Sequence, residues 1–314
     1  MGEIYIGVAG WTYKDWENIV YPKSLKKTQH PVEYLARYFD LIEINTSFYG
    51  HIKPEVGHEW CRKAGAVNPK FQFTAKLNRA FTHSPIAVVE STSATTIHFS
   101  PEDERLAKEG YDAIASEGKL GALLMQFPIS FKNTEENRAH LDKLIHMFSQ
   151  YPLAVEIRHS SWSDDNILQY FASEGVAFCN IDQPLLGRAI RPSGHVTSSI
   201  GYVRLHGRRY DQWFDPKKPS DRYDYLYKPY ELEGWQAKIE RIAKKADRVY
   251  VAANNHFEGK APANALELKS MLARRKVRAP ESLIRQYPDL QSFANSDSVP
   301  PASEDTTPTL EGFE

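Results

Sequence analysis

Polar side chains that could do acid/base or ion-binding chemistry recur at the ends of short apolar segments along the chain. They comprise three carboxylates, three cations, one histidine and three amides: Glu43, Glu156, Asp182, Lys76, Arg158, Arg204, His206, Asn45, Gln126 and Asn254. Carboxylates in different surroundings can divide the roles of general acid and general base, and imidazole transfers protons near neutral pH. We therefore predict that Glu43, Glu156 and His206 are catalytic.

The three cations suggest a binding site for an anion. Ammonium and guanidinium groups bind phosphate or carboxylate, and the guanidinium fork matches either group with two hydrogen bonds. An equally good interpretation is that the cations neutralise the glutamates, because a buried unpaired charge is costly. Two aromatic residues near the same segment ends offer faces for stacking on a sugar or a base. The residues predicted to bind substrate are Trp11, Asn45, Tyr49, Lys76, Gln126, Arg158, Asp182, Arg204 and Asn254.

The segments that carry these residues alternate apolar and polar side chains, which is typical of β-strands. In residues 41–48, one face holds Ile42 and Ile44 and the other holds Glu43 and Asn45. The same alternation starts near residues 4, 71, 123, 155, 177, 202 and 249. In the segment from residue 177, we assign Asn180 and Asp182 to the polar face and Cys179 to the apolar one.

Amphipathic segments separate these strands, and they predict helices over residues 31–39, 101–117, 134–149, 164–174, 231–246 and 261–277. Alternation of strands and helices predicts a parallel sheet with helical crossovers. An open doubly wound sheet is the main alternative, but the chain has no G-x-G-x-x-G and no Walker-type loop. The strand count favours an α/β fold with a single (β/α)₈ TIM-type barrel over residues 1–290. Active sites of such barrels lie at the C-terminal ends of the strands.

Two connections are long for such a barrel, residues 77–100 and 207–230. The second is rich in tyrosine and tryptophan, so we predict a packed segment that serves either as a lid or as a structural cover. Residues 295–314 are rich in serine, threonine, proline and acidic side chains and are predicted to form a disordered tail.

The bulk composition limits the partners of this chain. Of its 314 residues, 41% are hydrophobic and 25% charged, and the formal net charge is −1. A balanced charge argues against strong nucleic-acid binding, and no apolar stretch is long enough to cross a bilayer. Cys61 and Cys179 form no redox motif, and the chain lacks a signal-peptide pattern, so we expect a cytoplasmic protein.

No cofactor is predicted. Several oxygen and nitrogen ligands accompany the predicted site, among them Glu43, Glu156, Asp182, His206 and His256, so a divalent metal is an alternative. Three cations would compete with a metal there, and the chain has no H-E-x-x-H or related motif.

Seven motifs resemble those of the YecE-like family, also called domain of unknown function seventy-two. They are GVAGWTYKDW (7–16), FDLIEINTSFYG (39–50), FTAKLNRAFTH (73–83), GALLMQFPISF (121–131), AVEIRHSSW (154–162), YVRLHGR (202–208) and YVAANNHFEGKAPANAL (250–266). The resemblance implies a (β/α)₈-type barrel but no defined activity. The site of the family is similar, on fold grounds alone, to those of endonuclease IV and sugar isomerases.

Three hypotheses about function follow from these observations. The leading one is an enzyme that uses carboxylate acid/base chemistry on a small anionic substrate, such as a phosphorylated sugar or a nucleotide-like compound, as a hydrolase, an isomerase or a lyase. The second is a protein that processes or binds nucleic acid, by analogy with endonuclease IV. The third is a non-catalytic binder of small molecules or a scaffold.

Overall fold

Eight parallel strands close into a barrel in chain order, which confirms the predicted TIM-type fold. The computed structural model describes residues 1–23, 25, 29–83, 99–213, 218 and 220–297. The strands are β1 (Glu3–Ala9), β2 (Leu41–Ile44), β3 (Gln72–Lys76), β4 (Leu120–Gln126), β5 (Leu153–Glu156), β6 (Ala177–Asp182), β7 (Ile200–Leu205) and β8 (Arg248–Ala253). Because β1 pairs with both β2 and β8, the sheet has no free edge.

Helices cover the outside of the barrel. They are α1 (Pro31–Leu35), α2 (Pro54–Val67), α3 (Arg79–Thr82), α4 (Pro101–Ala115), α5 (Glu135–Met147), α6 (Asp165–Ser173), α7 (Pro229–Ala243), α8 (Lys260–Ala273) and α9 (Glu281–Gln286). The six predicted helices are confirmed with shifted ends, and Thr134 caps α5 by accepting from the backbone N–H of Asn137.

Helix α2 was not predicted from the sequence. Its apolar pattern is interrupted by Gly57, which lies against α4: a Cβ at this position would be 3.3 Å from Ala113 and Ile114. Glycine is a poor helix former, so its position here reflects close packing between two helices. That packing requirement does not show in the local sequence pattern.

The connection from β6 to β7, residues 183–199, contains no helix. Polar groups of this connection instead form hydrogen bonds with the outer face of β6. Ser193 Oγ and His195 N each donate to Asn180 Oδ1 at 2.8 Å, and Thr197 Oγ1 accepts from Phe178 N at 2.8 Å. This one crossover is therefore irregular chain held by specific hydrogen bonds.

Strand β6 does not place Asp182 at the predicted site, because its polar face lies on the outside of the barrel. Cys179 pairs in register with Tyr202, and Ile181 pairs with Arg204. The side chains of Tyr202 and Arg204 reach β2 on the far side of the ring, so they lie inside the barrel. Cys179 and Ile181 therefore face inward, and the polar residues of β6 face outward, where the irregular connection and α7 supply partners.

Aromatic rings fill the N-terminal half of the barrel. The rings of Tyr5 and Tyr250 stack with centroids 5.4 Å apart, and Tyr202 lies 6.3 Å from Tyr250. Gly121 leaves room for this layer, since a Cβ there would lie 2.5 Å from the Tyr250 ring. With this end packed, polar side chains are collected at the C-terminal end, as is usual in such barrels.

Residues beyond α8 form a small addition to the barrel. Strands β9 (Val277–Pro280) and β10 (Ala294–Asp297) pair in parallel and pack with α9 against α8. The predicted start of the disordered tail is therefore too early, since residues 295–297 belong to β10. The rest of the predicted tail, residues 298–314, lies outside the described residues, as do residues 84–98 of the first long connection. Among the described residues, no helix is long and apolar enough to cross a membrane.

Candidate functional site

Arg204, at the C-terminal end of β7, is the centre of a buried charge cluster. Its side chain has no exposed surface. Nε and Nη2 donate to the two carboxylate oxygens of Glu43 at 2.9 and 2.7 Å. Nη1 donates to Glu156 and, at 3.1 Å, to Gln126 Oε1. The structure therefore brings together these four predicted site residues, from β2, β4, β5 and β7.

Glu43 has a second set of partners inside the barrel. The hydroxyl of Tyr202 donates to its Oε2 at 2.9 Å and lies 2.7 Å from Thr74 Oγ1. Burial raises the pKa of Tyr202 well above its usual range, so this hydroxyl keeps its proton. Both oxygens of Glu43 are thus held by donors, and this carboxylate is fixed in place.

Glu156 is also fully engaged. Burial alone would raise its pKa, but the charges of Arg204 and Arg158 outweigh that effect and hold the pKa well below its usual value. Arg158 donates from Nε to Oε1 at 2.7 Å. Glu156 therefore stays ionised at neutral pH and has no proton to give as a general acid.

His206 links this cluster to the end of β8. The amide of Asn254 donates to its Nδ1 at 2.9 Å, and its Nε2 lies 3.4 Å from Glu156 Oε1. This places the ring proton on Nε2, facing the carboxylate. Burial lowers the pKa of His206 to about 3, so the imidazole is neutral. It serves as a polar support for Glu156 within the cluster.

The two arginines neutralise the two glutamates, which matches the second interpretation of the cations in the sequence. Arg204 directs its donors at Glu43, Glu156 and Gln126, and Arg158 uses its Nε on Glu156. Of the three predicted cations, Lys76 alone lines the cavity at the barrel mouth.

That cavity has a volume of about 290 Å³. Five predicted substrate-binding residues line it: Trp11, Asn45, Tyr49, Lys76 and Asn254. The other residues that line the cavity were not predicted to bind substrate, although His256 was named as a possible metal ligand. They are Gly10, Thr12, Tyr13, Thr46, Tyr223 and His256. A larger cavity of about 590 Å³ lies outside the barrel, between α6 and the 183–199 connection, and none of the predicted site residues lines it.

Lys76 forms the link between the cavity and the charge cluster. Its Nζ lies 3.9 Å from Glu43 Oε1, and 5.7 Å from the centre of the Phe48 ring. Ser47 Oγ and the Tyr111 hydroxyl donate to its backbone oxygen at 2.7 and 3.0 Å, which fixes the end of β3. Burial, reinforced by Arg204, lowers the pKa of Lys76 to about 7. The neutral form of the amine is therefore populated at neutral pH.

Two buried polar atoms at the cavity have no hydrogen-bond partner among the described residues, Asn45 Oδ1 and His256 Nδ1. Burial lowers the pKa of His256 to about 4, so its ring is neutral at pH 7. The ring stacks on Tyr13 at 4.2 Å, and Trp16 donates to its backbone oxygen at 2.7 Å. Unpaired buried polar atoms are costly. Asn45 Oδ1 would accept from a bound molecule, and His256 Nδ1 would accept or donate according to its tautomer.

Aromatic rings form much of the cavity wall. Trp11 packs edge-on against Trp60 at 4.9 Å, and Tyr49 is 74% exposed. Tyr223 lies 4.8 Å from the His256 ring and belongs to the 207–230 connection. This connection therefore contributes to the pocket as well as covering the barrel end, and its density of aromatic residues was the signal for that role.

Asp182 is the predicted site residue that the structure places elsewhere. Its Oδ2 accepts from Trp235 Nε1 of α7 at 2.7 Å and from Arg208 Nη2 at 2.8 Å. Because β6 turns its polar residues outward, this carboxylate lies behind the sheet and joins α7 to the barrel. Within the described parts of the chain, no three histidine, cysteine or acidic residues lie close enough together to hold a metal ion.

Comparison with known proteins places these features in a family context. The profile described as "Protein of unknown function DUF72" matches residues 5–287. The chain is similar to the crystal structure of a DUF72 family protein from Thermotoga maritima, at 29% identity and a TM-score of 0.72, over 86% of this chain and 99% of that one. It is also similar to one from Enterococcus faecalis, at 25% identity and a TM-score of 0.72, over 86% and 95%. No curated protein matches the chain.

Proposed function

Because the chain belongs to the DUF72 family, whose description assigns no activity, we propose a function from the pocket itself: an enzyme that moves a proton at the carbon next to the carbonyl group of a small polyhydroxylated aldehyde or ketone. The observation that carries this proposal is the amine of Lys76, poised near pH 7 at the floor of a small polar cavity. An acid/base group is most effective when its pKa lies near the working pH.

The cavity suits a small molecule with several hydroxyl groups. At about 290 Å³ it is at the lower end of the range for ligand pockets, which fits a compound no larger than a simple sugar. Asn45 Oδ1 lacks a hydrogen-bond donor and His256 Nδ1 lacks a partner among the described residues; hydroxyl groups, which both donate and accept, suit the two atoms. The rings of Trp11, Tyr13 and Tyr223 provide apolar faces for the carbon skeleton.

The charges around the cavity favour a neutral substrate over the anionic one predicted from the sequence. Arg204 and Arg158 already bind Glu43 and Glu156, so these four charges cancel. Lys76 is left as a titrating amine with no permanent charge at neutral pH. Its neutral form and the neutral ring of His256 are two nitrogen bases that line one cavity, which suits proton removal from carbon.

Hydrogen exchange in D₂O tests this proposal without knowledge of the product. The full-length protein is incubated with glyceraldehyde, dihydroxyacetone, xylose, glucose, fructose and fructose 6-phosphate, and NMR follows loss of the C–H signal next to each carbonyl. We expect exchange with at least one neutral compound. Lys76→Met should abolish it, because methionine keeps the length of the side chain without the amine.

Lys108→Met is the matched control, because Lys108 is a half-buried lysine on α4 that pairs with Glu104 at 2.7 Å, away from the cavity. This variant should exchange like the wild type, and circular dichroism confirms that both variants are folded. Exchange that persists in Lys76→Met, or no exchange with any compound, would refute the proposal. Exchange with fructose 6-phosphate alone would return the anionic substrate to first place.

A further inference from the structure

We propose that Lys76 bonds covalently to the carbonyl carbon of the substrate, forming an iminium ion, and that His256 then takes the proton from the adjacent carbon. This assignment rests on the proposed function and gives separate roles to the two nitrogen bases of the pocket. It makes Lys76 a nucleophile rather than a simple base.

The first support is the unusual isolation of the Lys76 amine. Within the described chain its nearest charged partner is Glu43 Oε1 at 3.9 Å, which is beyond hydrogen-bond distance. Lysines with a structural role in this protein make short ion pairs, such as Lys108 with Glu104 at 2.7 Å and Lys269 with Asp40 at 2.9 Å. A nucleophilic amine needs a free lone pair, and burial near a second cation is a known way to provide it.

The second support is the electrostatic setting. Arg204 binds both oxygens of Glu43, so the carboxylate does not need Lys76 as a hydrogen-bond partner. An iminium ion carries a permanent positive charge on the lysine nitrogen. Glu43, held close to that nitrogen by its other donors, is placed to stabilise this charge. The carboxylate thus favours the charged intermediate while leaving the free amine accessible.

The third support is the state of His256. His256 lines the same cavity, and its Nδ1 is buried and has no hydrogen-bond partner among the described residues. Burial keeps the ring neutral at pH 7, so one of its two nitrogens can accept a proton. Stacking on Tyr13 and the hydrogen bond from Trp16 to its backbone fix the ring in place.

The steps balance with water as the only co-reactant. Nζ attacks the carbonyl carbon, an N–C bond forms, and the π electrons move to oxygen, which takes a proton. The hydroxyl takes a second proton from solvent and leaves as water, while the nitrogen lone pair forms the C=N⁺ bond. The unprotonated ring nitrogen of His256 removes the neighbouring C–H proton. The C–H electron pair forms a C=C bond, and the π electrons of C=N⁺ move to nitrogen, which gives an enamine. Return of a proton to carbon and addition of water release the product and restore the amine.

Reductive trapping tests the covalent bond. The full-length protein is incubated with each neutral compound and sodium cyanoborohydride, which reduces iminium ions to stable secondary amines. We expect a single adduct, equal to the mass of the compound less one oxygen atom, that peptide mapping places on Lys76. The adduct should be absent from Lys76→Met and present at wild-type level in Lys108→Met.

Two further outcomes separate this inference from the proposed function. Exchange in D₂O without any adduct on Lys76 would overturn the covalent role and leave the proton-transfer enzyme intact. The absence of both exchange and adduct would overturn both. His256→Gln should still form the adduct but lose about 100-fold or more in exchange rate; undiminished exchange would exclude His256 as the proton acceptor.

Discussion

Replacing Arg204 with methionine tests whether one buried guanidinium holds the pocket floor together. The guanidinium lies between Glu43 and Glu156, and the side chains of all three have no exposed surface. In Arg204→Met, Glu156 keeps Arg158 as a close cationic partner, whereas Glu43 is left with the amine of Lys76 at 3.9 Å. One negative charge then lacks compensation, and Lys76 takes up a proton more readily because Arg204 no longer lowers its pKa.

The size of the effect follows from the cost of an unpaired buried charge. Removing one partner of a buried ion pair costs about 3–5 kcal/mol. Methionine fills most of the volume of the arginine side chain, so the cavity left behind adds little. We therefore expect Arg204→Met to lose about 3–5 kcal/mol of unfolding free energy at pH 7, a large part of the stability of an ordinary domain.

The same reasoning predicts how this loss changes with pH. In the wild type the pKa of Glu156 is held well below its unfolded value. Its contribution to stability is therefore present above the unfolded pKa and is lost as pH falls through the folded one. In Arg204→Met burial acts with less opposition and raises the pKa of Glu156 relative to the wild type. The native variant then binds protons that the native wild type does not, so the difference in stability should narrow from pH 7 to pH 5.

Urea unfolding at both pH values, followed by circular dichroism, measures the two quantities. Arg158→Met is the control, because the Arg158 side chain is 16% exposed and, among the described residues, forms its ion pair with Glu156 alone; its loss of unfolding free energy should be smaller. Arg204→Lys keeps the charge but cannot bridge both carboxylates, so it should fall between the wild type and Arg204→Met. Two results would contradict a cluster held together by charge: a loss of unfolding free energy below about 1 kcal/mol in Arg204→Met, or a difference in unfolding free energy from the wild type that does not narrow at pH 5.

Three other predictions concern protons and packing. The rate of hydrogen exchange should rise with pH to a midpoint near 7, as neutral Lys76 forms. Glu43→Gln should lower the pH of that midpoint, because it removes an anion that favours the ammonium form. The pH–rate profiles of both proteins check this. Gly7→Ala should lower the free energy of unfolding by about 3 kcal/mol or more, since the added Cβ would lie 1.7 Å from a backbone oxygen of β2. Gly50→Ala, where the added Cβ has no atom within 4 Å, should leave thermal unfolding nearly unchanged. Burial raises the pKa of Glu267 from 4.5 to about 7, so stability present below pH 4.5 is lost as pH rises towards 7. In urea titrations the free energy of unfolding of Glu267→Gln should therefore exceed that of the wild type by about 3 kcal/mol at pH 8 and equal it at pH 4.

The barrel could be predicted because its signals are local. Alternation with a period of two identifies a strand and its faces, and the rule that sites lie at the C-terminal strand ends selects Asn45, Lys76 and Asn254. The same alternation fails for β6, where Asn180 and Asp182 face outward. Their partners come from the 183–199 connection and from α7, and no local pattern reports such distant partners.

The separate roles of the three cations could not be predicted from the sequence for a related reason. Lys76, Arg158 and Arg204 occupy equivalent places at strand ends, and their types alone suit either anion binding or neutralisation. Distances decide between these roles, since Arg204 takes both oxygens of Glu43 and leaves the amine of Lys76 unbonded. Tyr13 was missed because it lies beyond β1 in an irregular segment, although the aromatic run after that strand was a usable signal.

The Arg204 cluster also bears on how long the closed barrel lasts. Arg204 is 161 residues from Glu43 and 48 from Glu156 along the chain. Contacts across such separations form only after long loops have closed, which is slow and late in folding. Interactions that are absent from the folding transition state act mainly on the unfolding rate. We therefore expect the cluster to work as a kinetic lock: weakening it should leave the rate of barrel closure nearly unchanged and make the closed barrel open sooner.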